Sequence, residues 1–169
     1  VMRNSVFLPL PSFHRVLTYI PEGREEFYGM DIVLELAKEF AEVPFLIVGS
    51  RGYRIKMPPN VNFLGWVEGD KMLDVYRKIS VLLRFTEHDG LPNMVLEALF
   101  LGRRVVSSLP VVRGVDCVGR DVDRAKEVLG EILSCPPRFF EEGRSLVAEE
   151  FSHNKICKSF IRLLFGGGI

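Results

Sequence analysis

The stretch PFLIVGS, residues 44–50, is apolar at four consecutive positions before it ends on a glycine and a serine. A strand with one face in water alternates apolar and polar residues, so an unbroken apolar run describes a strand buried on both faces. Burial on both faces requires helices above and below, which in turn requires parallel strands joined by helical crossovers. The rest of the chain supplies those pieces in alternation. RVLTYI (15–20), PFLIVGS, NVNFLGWV (60–67), VLLRFT (81–86) and RVVSS (104–108) read as strands. MDIVLELAKEFA (30–41), DKMLDVYRKI (70–79) and a segment from about Pro92 to Leu101, closed by Gly102 as C-cap, read as helices between them. Beyond Pro110 the pattern becomes helical only, at 121–134, 137–150 and 153–165. The expected class is α/β, a doubly wound parallel sheet with a helical C-terminal tail, in one domain over 15–169 after a linker at 1–14.

Composition narrows the function by exclusion. The chain has 169 residues, with 22 basic residues balancing 22 acidic ones, whereas a protein that tracks nucleic-acid phosphates is usually basic. No nucleic-acid partner is expected. Cys117, Cys135 and Cys157 are odd in number and widely spaced, and read as buried thiols of a reducing compartment. His14, His88 and His153 form no ligand pattern, so neither a metal nor another cofactor is expected. No apolar run approaches the ~18 residues of a membrane span, which points to the cytoplasm. The last helix pairs Lys155, Lys158 and Arg162 with Phe160, Ile161 and Leu164; such a stripe either docks on its own domain or lies peripherally at the inner membrane face. The absence of glutamine fits a thermophilic source.

In a doubly wound sheet the ligand crevice lies at the C-terminal ends of the strands. The loops expected there are PEGREEFYG, GSRGYR, the turn from Gly65 to Gly69, EHDGLPN and SSLPVVRG. The fourth is the most informative. Gly90 lets the backbone approach a ligand, Leu91 falls near the N-cap, and Pro92 suits the first helical position, where its missing N–H costs nothing. From Asn93 onward the amides at the helix start, reinforced by the macrodipole, favour an anion such as a diphosphate. Glu97 lies one turn further on, among apolar residues, where an unpaired carboxylate would cost several kcal/mol; sugar hydroxyls are suitable donors. From spacing alone, Asp89 reads first as a cap or helix-dipole partner and Glu97 as a solvated side chain.

The combined string D-G-L-P-x-x-x-L-E-A-L-x-x-G-x-x-V-V-S resembles the hallmark segment of the retaining GT-B glycosyltransferases of the glycogen synthase and mannosyltransferase type, an acid followed after seven residues by Glu. Here the pair is Asp89 and Glu97, with Asp in place of the usual first Glu. FLIVGS and NVNFLGWVEGDKMLDVYRKISVLLRFT resemble the same family's donor domain, so the likeness covers about residues 15–110. The resemblance implies a nucleotide-sugar donor (UDP-, GDP- or ADP-linked), metal-independent transfer with retention, and a carbohydrate or lipid-linked acceptor held by a second, N-terminal half or a partner chain. It assigns Asp89 to the transferred sugar and Glu97 to the ribose. The backbone of Gly90, Leu91, Pro92 and Asn93 would cradle sugar and diphosphate, with Gly49 in the neighbouring glycine loop. Gly65, Trp66 and Val67 would meet the base. Where the family's first loop carries an Arg and then a Lys before Gly, this chain has Arg24 and then Tyr28. Arg24 then either fills both cationic roles, or the site binds donor without efficient transfer, as a non-catalytic remnant or one subunit of a two-chain enzyme would.

Other signals are weaker. D-V-D at 121–123 matches the D-x-D metal motif of the GT-A glycosyltransferases but opens a helical pattern, and reads as a cap. The G-S-R-G loop at 49–52 lacks the dinucleotide fingerprint. Trp66 reads as core or rim packing in preference to a stacking platform. A sugar-nucleotide epimerase of related fold would need acids and a histidine that this chain neither supplies nor excludes.

Overall fold

The computed structural model describes residues 8–52, 57–69 and 71–151. Six parallel strands form one sheet: β1 (Val16–Tyr19), β2 (Phe45–Val48), β3 (Val61–Gly65), β4 (Val81–Arg84), β5 (Arg104–Ser107) and β6 (Asp116–Cys117). Their spatial order is β3-β2-β1-β4-β5-β6. The helices α1 (Met30–Glu39) and α4 (Val122–Leu133) cover one face, while α2 (Met72–Lys78), α3 (Asn93–Phe100) and α5 (Glu141–Glu150) cover the other. The alternation inside the strands explains the two cores. Phe45 and Ile47 of β2 pack with α1 and α4, whereas Leu46 and Val48 pack with the opposite layer.

The doubly wound parallel sheet is therefore as the apolar runs predict, with two differences. β6 is an additional strand, only two residues long, paired as Val106 with Asp116 and Ser107 with Cys117. The helix expected over 137–150 begins at Glu141, because the Phe140 amide is drawn out to the Gly102 carbonyl at 2.9 Å and Phe140, at φ −89 and ψ 81, is the N-cap. The helix expected over 153–165, with Cys157 and the basic stripe, lies outside the described residues.

The cysteine expectation fails: Cys117 and Cys135 are both exposed free thiols. Cys117 ends the edge strand β6 and Cys135 lies in the α4–α5 link, and neither position has a layer above it. Trp66 is likewise no core residue, at 72% exposure. It follows β3, the other edge of the sheet, where Leu64 is also exposed.

Segment 8–14 is tied to the domain by a buried cation. The Arg103 guanidinium, with no solvent exposure, donates to the carbonyls of Leu8 (3.0 Å) and Pro9 (2.9 Å), of Tyr76 (2.9 and 3.1 Å), and of Leu101. His14 adds a second tie. Its Nε2 donates to the Cys135 carbonyl at 2.6 Å, which leaves Nδ1 to accept the Ser80 hydroxyl at 2.8 Å.

Candidate functional site

Strand order reverses between β1 and β4, so the loops that leave these two neighbours diverge to opposite sides and open a crevice at their C-terminal ends. The β1–α1 loop carries Arg24 and Tyr28, and the β4–α3 loop carries Asp89. Three contacts fix the two loops to one another. The Glu87 amide donates to the Phe27 carbonyl at 3.1 Å, and Arg120 donates to the carbonyls of Phe27 (3.3 Å) and Phe85 (2.9 Å). Gly29 makes the approach feasible: at φ 70 it lies so near Phe85 that an added Cβ would stand 2.5 Å from the Phe85 Cβ.

Asp89 is not a free anion. Arg84, the last residue of β4, donates to its Oδ2 from Nε at 2.9 Å and from Nη2 at 2.7 Å, and the Thr86 hydroxyl stands 3.4 Å from the same oxygen. The Gly90 amide donates to Oδ1 at 3.0 Å. The two side chains are only 11% and 18% exposed, so the pair is poorly screened by water. Above Arg84 stand two aromatic rings, Tyr28 at 5.0 Å and Tyr19 at 5.8 Å from the guanidinium carbon. Sequence patterning overlooked this residue. The available signal was a charge closing the buried run VLLR, five positions before the acid, since such a charge must find a partner.

Glu97 has a partner inside the protein. The Tyr76 hydroxyl donates to its Oε2 at 2.7 Å, which supplies a donor that the sequence had sought in a ligand. Burial, then the Glu97 charge and the hydrogen bond to it, push the Tyr76 hydroxyl well above its ordinary pKa of 10.0, against the opposing charge of Arg84. Tyr76 thus belongs to the same electrostatic neighbourhood as Glu97 and Arg84.

The start of α3 differs from expectation by one residue. Pro92 is the N-cap (φ −70, ψ 125), with its carbonyl accepting the Val95 amide at 3.0 Å, and Asn93 is the first helical residue. Its fixed φ suits either position, and the extended ψ decides. No side chain caps this end. Gly90 is also freer than expected: a Cβ there would meet nothing within 4 Å, so the chain's own packing does not require a glycine. Leu91 is exposed beside it.

The neighbouring loops are joined at Gly49 and Gly65. The Gly49 amide donates to the Gly65 carbonyl at 2.8 Å, and the Gly65 amide donates to the Ser50 carbonyl at 2.9 Å. Val67 follows, partly buried, and Trp66 projects into solvent. Arg24 is exposed, 5.9 Å from the Phe27 ring centre, and shares a recess of about 440 Å³ with Glu25, Glu26 and Glu87. Asp121 behaves as a cap, its Oδ1 accepting the amides of Asp123 and Arg124 at 3.0 Å each. Among the described residues no group of three or more His, Cys, Asp or Glu is arranged to hold a metal ion, and no helix is long and apolar enough to cross a membrane.

A six-stranded parallel sheet in this order, with its crevice at the strand reversal, is the Rossmann-like half of a GT-B architecture. The chain belongs to the group 1 glycosyltransferases: the sequence profile of that family matches residues 15–132, more than half of its length. No curated protein matches the sequence. Solved structures share the fold. They include sucrose-phosphate synthase from Thermosynechococcus elongatus (TM-score 0.73, 17% identity, 94% of this chain and 47% of that one). Another is S. aureus TarM, in a complex with UDP (TM-score 0.76, 13% identity, 98% and 38%). A third is the C-terminal domain of a group 1 glycosyltransferase from Francisella tularensis (TM-score 0.65, 13% identity, 85% and 89%). The chain spans about half or less of the first two of these proteins.

Proposed function

We propose that this chain is the donor-binding half of a retaining, metal-independent glycosyltransferase that takes its sugar from a nucleotide. The observation that carries the reading is the crevice at the β1–β4 reversal, where an uncapped helix start lies between two acids, Asp89 before it and Glu97 one turn inside it. An anionic diphosphate suits the uncapped amides. Hydroxyls of the sugar and of the ribose suit Asp89 and Glu97, and the Gly65–Val67 backbone, with exposed Trp66 beside it, suits the base. Positive charge from Arg24 and from the helix start would stabilise the departing phosphate. The acceptor would be held by a second half or a partner chain.

Titration calorimetry with UDP-, GDP- and ADP-sugars tests this reading. One of the three is expected to bind in the micromolar to millimolar range, and equally well in the presence of a chelator. If none binds at millimolar concentration, the donor-site reading is wrong. A second reading, a nucleotide-sugar-binding remnant or subunit that does not itself catalyse transfer, is favoured by Tyr28 and by the three glutamates around Arg24. Reconstitution with an acceptor-binding half separates a working enzyme from a remnant, because transfer is restored if the chain is part of an enzyme of one chain or two and is not restored if it is a remnant.

A further inference from the structure

A carboxylate has about four acceptor positions, two on each oxygen. At Asp89 the two Arg84 nitrogens and the more distant Thr86 hydroxyl (3.4 Å) fill Oδ2, and the Gly90 amide takes one position on Oδ1. One acceptor position is left, on Oδ1. We infer that Arg84 is a positioning residue: it turns and neutralises the Asp89 carboxylate so that Asp89 reads a single ligand hydroxyl through Oδ1 and does not repel the diphosphate beside it. This rests on the donor-binding reading above and goes beyond it, because it names which oxygen selects and which residue makes it do so.

Three observations separate this role from a direct grip on phosphate. Both Arg84 nitrogens nearest the acid are spent on one oxygen, and the side chain is only 11% exposed. Its other surroundings are the Tyr28 and Tyr19 rings, themselves 5.4 Å apart and edge to face, which box the guanidinium in place. The closed pair also carries no net charge, so an anionic donor meets the polar rim of Asp89 without full Coulomb repulsion. A lysine in this position would keep the charge but not the paired Nε and Nη2 donors that hold Oδ2.

The test compares a nucleotide sugar with its own nucleoside diphosphate, UDP-glucose with UDP and GDP-mannose with GDP, on the intact 169-residue chain. In R84M the bared Asp89 charge should weaken both ligands, and the sugar nucleotide should lose about tenfold more than its nucleoside diphosphate, the size of one lost charge-assisted hydrogen bond. R84K should recover part of the loss. In a D89N background R84M should add nothing, since the two residues act through one oxygen. Equal weakening of UDP and UDP-glucose would make Arg84 a phosphate ligand and overturn the inference, as would additive losses in the double variant. If R84M fails to fold, the same ratio measured on R84K decides between these outcomes. Should wild-type protein bind neither member of either pair and no ADP-sugar, the donor-site reading falls and this inference falls with it.

Discussion

Two buried residues show how much of the energetics rests on single side chains. Among the described residues Arg103 has no carboxylate partner. Its acceptors are carbonyls, among them those of Tyr76 in the last turn of α2 and Leu101 at the C-cap of α3, where the helix dipoles are negative. R103M would strand several buried carbonyls at once and should cost at least about 3 kcal/mol in urea denaturation. Burial lowers the Arg103 pKa to about 10. Below that value it is charged in both states, so the cost of R103M should not vary with pH across the neutral range. Tyr76 has the opposite sign. Its folded pKa is raised, so the stability it contributes is complete below its ordinary value of 10.0 and is lost as pH rises through the folded value. Y76F should therefore flatten the alkaline limb of a stability profile recorded by chemical denaturation. Neither role was legible locally. In sequence Arg103 falls between the Gly102 cap and the strand that starts at Arg104, and Tyr76 falls within the helix over 70–79, with nothing beside either to name its partner.

At the scale of elements, boundaries follow local chemistry where a cap is encoded. α3 ends one residue before the sequence indicates, with Leu101 as the C-cap and Gly102 just beyond it: Gly102 stands at φ 72, its amide bonds to the Leu99 carbonyl at 2.9 Å, and the Arg103 amide bonds back to the Ala98 carbonyl at 2.8 Å. The Phe139 ring packs where a Cβ would stand. G102A should lower stability by more than the ~1 kcal/mol of the left-handed conformation alone, read as a drop in denaturation midpoint. Asp121 caps α4 through two amides, and D121A should cost about 1 kcal/mol. β6 escaped notice for a different reason. Two residues carry no periodicity, and Asp116 and Cys117 become a strand only because β5 offers them an edge.

At the scale of the whole molecule, a ligand that binds the folded crevice stabilises it by mass action. A bound nucleotide sugar at about a hundredfold its Kd should add about 2.7 kcal/mol, visible as a raised melting temperature, and a chelator should leave that shift unchanged. The sequence alone determined that the inner strands are buried on both faces, and therefore parallel and sandwiched between helices. It also determined that Asp89 and Glu97 flank one helix start, because both properties are written in neighbours along the chain. Only the tertiary structure decided what those acids touch. Arg84 lies on a strand, Tyr76 on a helix 21 residues from Glu97, and the two loops that form the crevice are brought together by a strand order that no local pattern encodes. Exposure was decided at the same level. Trp66 and Cys117 have the composition of core residues, but both belong to edges of the sheet, where no layer covers them.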